Sequence, residues 1–212
     1  MKKGIIFDVD GTLWDSCAAV AESLNEYLKK YAPDITRRVT EADLRGVMGM
    51  PMTQLRDTLF DWLPPQRRME IAQGCFEYEI EYLKKRGGEL YPNLRQTMEK
   101  LAETYHLYIV SNCQRGYIED FIAWAKVEEL IEDFECFGAT GLEKSSNIRL
   151  VEERNGLDAA VYVGDTEGDR RSAREAGIPF IHARYGFGTV EGDVPCISDL
   201  SELPEVADEI LK

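Results

Sequence analysis

No stretch of the 212 residues approaches the ~18 consecutive apolar positions that a membrane helix needs. The opening MKKGIIFDVDG has the two lysines and apolar patch of an export leader, but Asp8 and Asp10 cut that patch short. Neither a membrane span nor an export leader is expected. Cysteine is sparse: Cys17, Cys75, Cys113, Cys136 and Cys196 are odd in number and include no C-x-x-C pair. Reduced thiols in a cytoplasmic protein are the expectation. Positive charge is also short, with 25 Lys and Arg against 39 Asp and Glu, a net charge of −14. Phosphate backbones need a basic face, so nucleic acid is not an expected partner. Internal repeats and low-complexity segments are absent too. What remains, 44% hydrophobic and 10% aromatic residues, suits a folded globular core.

The apolar pattern divides the chain. Residues 4–9, GIIFDV, form a β-branched run that meets Gly11, predicting a strand and a tight turn. Val20, Leu24, Leu28 and Tyr31 then recur at helical spacing until Pro33-Asp34. Thr40 and Asp43 make a capping-box pair for another helix. Leu55, Leu59 and Leu63 give a third, stopped by Pro64-Pro65, and Met69 to Leu83 a fourth, stopped by Gly87-Gly88. Beyond Tyr91 the period alternates. Strands are expected at His106–Ser111, near Phe134–Gly138, at Ala160–Gly164 and at Pro179–His182, with helices between them and at about 201–211. Apolar strands separated by helices indicate an α/β fold with a Rossmann-like parallel sheet and helices on both faces. The economical division is a core from residues 1–14 and 88–212 with an all-helical domain, 15–87, inserted.

Ligands of such sheets bind beyond the carboxyl ends of the strands. Those ends carry Asp8-Val9-Asp10-Gly11-Thr12, then Ser111-Asn112, then Gly164-Asp165-Thr166-Glu167-Gly168-Asp169. Lys144 opens the helix before the last of these. Alternation puts Asp8 and Asp10 on one side of an extended segment. With Asp165 and Asp169 opposite, they make an oxygen cage suited to Mg²⁺. Turn-forming or helix-capping aspartates are the competing reading of each motif taken alone.

FDVDGT (Phe7–Thr12), VSN (Val110–Asn112), Lys144 and VGDTEGD (Val163–Asp169) together resemble the four motifs of the haloacid dehalogenase-like hydrolases, in order and across the core. The helical insertion resembles that family's cap, and the whole is most similar to its phosphoglycolate phosphatase branch. The resemblance implies a Mg²⁺-dependent phosphatase acting on a small phosphorylated metabolite through an aspartyl-phosphate. It implies Asp8 as nucleophile and Asp10 as acid and base, with the Asp10 backbone carbonyl on the metal. Ser111 and Lys144 would bind phosphate, and Asn112 is equally suited to bind phosphate and to cap the next helix. Asp165 would complete the metal site, and Asp169 would ligate it or orient its waters and Lys144. The dehalogenase branch lacks an acid at the Asp10 position. The phosphosugar mutase alternative carries a histidine early in its first cap helix, whereas the only histidines here are His106 and His182. A catalytically silent binding protein on the same scaffold is the remaining alternative, opposed by the intact Asp8, Asp10, Lys144 and Asp165.

Other features read more plainly. Met48, Met50 and Met52 suit core filling before pocket lining, and Arg45, Arg56, Arg67 and Arg68 suit solvated helix faces. Trp14 fits a hinge or the core equally. Tyr185-Gly186-Phe187-Gly188 predicts a flexible loop near the site, without a nucleotide fingerprint. His182 suits a structural role at a strand end.

Overall fold

The computed structural model describes all residues, 1–212, as an α/β protein. In chain order the elements are β1 (Lys3–Phe7), β2 (Trp14–Asp15), α1 (Cys17–Tyr31), α2 (Glu41–Arg45), α3 (Met52–Leu59), α4 (Pro65–Arg86), β3 (Glu89–Leu90) and α5 (Leu94–Ala102). There follow β4 (His106–Ser111), α6 (Tyr117–Ala125), β5 (Ile131–Cys136), α7 (Phe137–Thr140), α8 (Lys144–Asn155) and β6 (Ala159–Gly164). The chain closes with α9 (Glu167–Ala176), β7 (Phe180–Ala183), β8 (Cys196–Ile197), a short 3₁₀ turn and α10 (Leu203–Ile210).

Six strands form one sheet in the order β5-β4-β1-β6-β7-β8, every pairing parallel. Strand alternation explains why both faces are apolar. Ile5, Phe7, Ile109 and Val163 pack with α5, α6 and α10 on one side. Ile6, Tyr108, Val110 and Tyr162 pack with α8 and α9 on the other. β1 sits between β4 and β6, where the strand order reverses, so its carboxyl end faces the crevice that this topology leaves open.

Helices α1–α4 contribute no strand to that sheet, and the chain passes into and out of them through a two-stranded antiparallel ribbon of β2 and β3. α1 and α4 pack against each other, with Leu24, Leu28, Ile71 and Cys75 inside. The Thr40–Asp43 capping box opens α2 as expected. Two boundaries differ from expectation. α3 stops at Leu59, and Pro65 opens α4 rather than closing α3, its fixed φ and missing N–H being suited to a first helical position. β5 begins at Ile131, three residues early, and Phe137–Thr140 is a helical turn. β5 is an edge strand, so Glu132, Asp133 and Glu135 reach solvent and arginine partners without breaking the sheet.

Candidate active site

The turn after β1 creates the site. Gly11 takes a φ of +79°, and a Cβ there would lie 2.2 Å from Asp165 Oδ2. Only glycine lets the two strand ends approach so closely. The turn's own hydrogen bonds run from Thr12 and Leu13 back to the Val9 carbonyl. The N–H groups of Val9, Asp10 and Asn112 donate to no group of the protein, nor does the Asp10 carbonyl accept from one. Three donors at the strand ends are thus available to an anion.

Asp8, buried to 1% exposure, stands at the centre. The Lys144 ammonium, at the first position of α8, lies 3.0 Å from Asp8 Oδ1 and 2.6 Å from Asp169 Oδ1. The approach to Asp8 is a close ion contact rather than an aligned hydrogen bond, and neither Asp8 oxygen receives a directed donor. Burial pushes Asp8 up to about 7 against the pull of Lys144, with Asp169 and Asp10 adding repulsion. Burial also opposes the charge on Lys144, yet Asp169 and Asp8 hold its pKa well above the usual lysine value.

Asp165 follows β6. Its Oδ2 accepts from the N–H groups of Phe187 and Gly188, at 2.7 and 3.2 Å, while Oδ1 is buried without a partner. Burial, with Asp169 and Asp8 beside it, raises Asp165 to about 8. The glycine-rich loop 185–188 is therefore a clasp and not a loose segment: Tyr185 donates to the Thr12 carbonyl, and a Cβ on Gly186 would meet both Asp165 and the Gly11 carbonyl at 2.3 Å.

Asp169 unites the two competing readings of its motif. It is the third helical residue of α9 in a complete capping box with Thr166, whose N–H and hydroxyl both donate to Oδ2. Its other oxygen takes Lys144. Carboxylate oxygens of Asp8, Asp165 and Asp169 all lie within 4.8 Å of one another. Three buried hard oxygens, two of them from carboxylates with unpartnered atoms, fit a divalent cation of the magnesium type. Since both Asp169 oxygens already have protein donors, Asp8 and Asp165 are the better direct ligands.

The Asp10 side chain stands outside this cluster. Its Oδ1 accepts from Ser16 Oγ at 2.6 Å, from Tyr117 at 2.6 Å and from Trp14 Nε1 at 2.9 Å. Burial raises its pKa above the ordinary carboxylate range even though all three donors favour the charged form. Ser16 occupies the N-cap of α1 but makes no cap bond, because its hydroxyl serves Asp10 instead. Helix α1 thereby forgoes about 1 kcal/mol of capping. Trp14 unites its two readings: it lies in the β2–β3 ribbon, fully buried against Tyr117 and Phe121.

Of the expected phosphate-binding residues, Ser111 ends β4, buried beside the cleft, and Lys144 is buried at its floor. Asn112 lines the cleft as well, and its amide donates to the Gly49 carbonyl at 2.9 Å, tying the core to the helical layer. It does not cap α6, whose N-cap is Gly116. Met48, Met50 and Met52 line a cavity between the layers rather than serving only as core. Arg45 pairs with Asp15 and lies over the Phe187 ring, and Arg56 and Arg68 pair with Asp57. Tyr117, Ser16 and Glu79 were not singled out by sequence. Ser16 alone carried a usable signal, an N-cap residue shortly after the turn that follows β1.

Comparison with known proteins agrees with this arrangement. A match to the haloacid dehalogenase-like hydrolase family spans residues 5–183. Among curated relatives, a phosphoglycolate phosphatase of Aquifex aeolicus is 26% identical over 96% of each chain. One of Rhodobacter capsulatus is 28% identical over 88% of this chain and 86% of its own. A crystal structure of a predicted phosphoglycolate phosphatase from Haemophilus somnus superposes with a TM-score of 0.82 at 22% identity, covering 97% of this chain and 98% of the other. With the motif order, the parallel sheet and the buried acidic centre in agreement, the chain belongs to the haloacid dehalogenase-like hydrolases, in their phosphoglycolate phosphatase-like branch.

Proposed function

We propose that the protein is a Mg²⁺-dependent phosphatase of the cytoplasm, hydrolysing a small phosphomonoester through an aspartyl-phosphate on Asp8. The observation that carries this reading is the environment of Asp8. Its oxygens lack directed donors, it lies 3.0 Å from Lys144, and free N–H groups flank it. An unencumbered carboxylate facing a phosphoryl group attacks phosphorus and divides one difficult displacement into two easier ones.

As the Asp8–phosphorus bond forms, the ester P–O bond breaks and Asp10 delivers its proton to the departing alkoxide. Asp10, now ionised, takes a proton from water as that water attacks phosphorus. The acyl phosphate then breaks, restoring Asp8 and releasing phosphate. A group that must hold a proton in one step and lack it in the next works best with a pKa raised toward neutrality, as burial does for Asp10. Lys144, Ser111 and the N–H groups of Val9, Asp10 and Asn112 hold the phosphoryl oxygens. Asp8, Asp165 and the Asp10 carbonyl would hold the dication, with Asp169 orienting Lys144. When bound, the ion supplies positive potential to the phosphoryl group in a site otherwise dominated by carboxylates. Helices α1–α4 act as the cap over this centre, residues 15–87 forming that unit and 1–14 with 88–212 the core.

Magnesium-dependent phosphate release from acetyl phosphate, abolished in Asp8→Asn and Asp10→Asn proteins that retain the native circular dichroism spectrum, tests the assignment. Equal release by wild type and the Asp8 variant sinks it.

A further inference from the structure

The cleft has two branches, which share Met48, Gly49, Met50 and Asn112 on their walls. One branch runs past Lys144, Ser145 and Thr166 to solvent as a cavity of about 820 Å³, with Arg45 and Arg171 on its walls. The other is a small recess of about 40 Å³ between the helical layer and the core, room for a leaving group of a few heavy atoms. Asp10 lines the recess and not the open branch. If Asp10 protonates the departing oxygen, as in the phosphatase reading on which this inference rests, the leaving group extends into the recess.

The recess walls are chiefly Leu24, Met48, Met50, Leu55 and Phe76. No Lys, Arg or His lines it, and the two ionisable carboxyls that do are Asp10 and Glu79. Glu79, on α4, is 6% exposed. Gln114 donates to its Oε1 at 3.2 Å and to the Phe76 carbonyl at 3.2 Å, and no cation pairs with it. Burial and the neighbouring Asp10 push Glu79 up to about 8, so even a resident carboxyl resists ionisation there. A substrate carboxylate would meet the same desolvation, with no cation to offset it.

We infer that the leaving alcohol carries no negative charge: the substrates are phosphomonoesters of small, uncharged, largely aliphatic alcohols, because the recess that receives the alcohol offers no cation. This distinguishes the chain from relatives named for phosphoglycolate, whose leaving alcohol bears a carboxylate.

Isobutyl phosphate and 2-phosphoglycolate have leaving groups of nearly the same shape, methyls replacing carboxylate oxygens. Steady-state kcat/KM with Mg²⁺ is expected to favour isobutyl phosphate by about tenfold or more. Leu55→Lys, which places a cation on the recess wall and is checked by thermal melting, is expected to narrow the gap mainly by lowering KM for phosphoglycolate. Turnover of acetyl phosphate with phosphoglycolate equal to or better than isobutyl phosphate overturns the inference while leaving the phosphatase reading intact, as does a preference for phosphoglycolate lost on Arg45→Gln. An unchanged gap in Leu55→Lys overturns the inference that the missing cation sets the preference. Release from none of the three substrates overturns the phosphatase reading and this inference with it.

Discussion

Tyr117 and Asp10, 107 positions apart, meet at 2.6 Å, with the phenol donating to Asp10 Oδ1. Burial and the nearby charges of Asp10 and Glu79 keep that phenol protonated at every working pH. The hydrogen bond favours ionised Asp10 and so partly offsets the effect of burial. Tyr117→Phe removes one of three donors. The limb of the pH–kcat profile that reports Asp10 is expected to move to higher pH, with kcat falling about tenfold and KM nearly constant. A profile superimposable on wild type would show that the contact is only structural.

The metal-free protein is expected to lose stability as pH rises. Asp8 and Asp165 have folded pKa values of about 7 and about 8, whereas unfolded aspartate ionises near 4. Between those limits the folded chain binds protons that the unfolded chain has released, so the unfolding free energy falls with pH. Carboxylates with lowered pKa, such as Asp43 and Asp199, act with the opposite sign but only near pH 4 and below. Thermal melting in chelator should therefore drop by several degrees from about pH 5 to about pH 8, and Mg²⁺ should flatten the dependence. A melting temperature that climbs through this window in chelator refutes the assignment.

Lys144→Met leaves Asp8 and Asp169 buried without their common cation. Removing one member of a buried ionic group costs about 3–5 kcal/mol. Urea unfolding is expected to show a loss of that order together with the loss of turnover. A variant as stable as wild type would mean that the cluster is protonated when the lysine is gone, which a pH series would reveal.

Gly11→Ala brings a Cβ to 2.2 Å from Asp165 Oδ2 and places a side chain at a φ of +79°. The conformation costs about 1–3 kcal/mol, and the displaced carboxylate should weaken Mg²⁺ binding more than it weakens folding. Isothermal titration with Mg²⁺, set beside the melting temperature, separates the two effects. Native Mg²⁺ affinity in this variant would remove Asp165 from the metal site.

Much of the site was legible because a parallel sheet brings its strand ends together whatever the intervening sequence. Asp8, Ser111 and Asp165 each follow an apolar run, and Lys144 opens a helix, so topology alone places them side by side. Tyr117 and Glu79 offered no comparable signal. They lie on helices among Phe121 and Cys75, where a buried polar residue has the same spacing as a core one. Asn112 illustrates the converse: its bond to the Gly49 carbonyl is a tertiary contact that no local pattern encodes. The β2–β3 ribbon was invisible because each strand has two residues, too few for any periodicity. β5 was seen only in its second half, since an edge strand tolerates the acids that mask an apolar run.

That short ribbon links geometry to chemistry. Trp14 is paired with Leu90 through its backbone and bonded to Asp10 through its indole. The two crossings between layers are thus fastened to each other, and one of them also grips the acid. The same indole is wedged against Tyr117 and Phe121 of α6, so one side chain joins the ribbon, the core helix and the acid. A disturbance of the ribbon's packing therefore reaches the proton affinity of Asp10 through a single hydrogen bond.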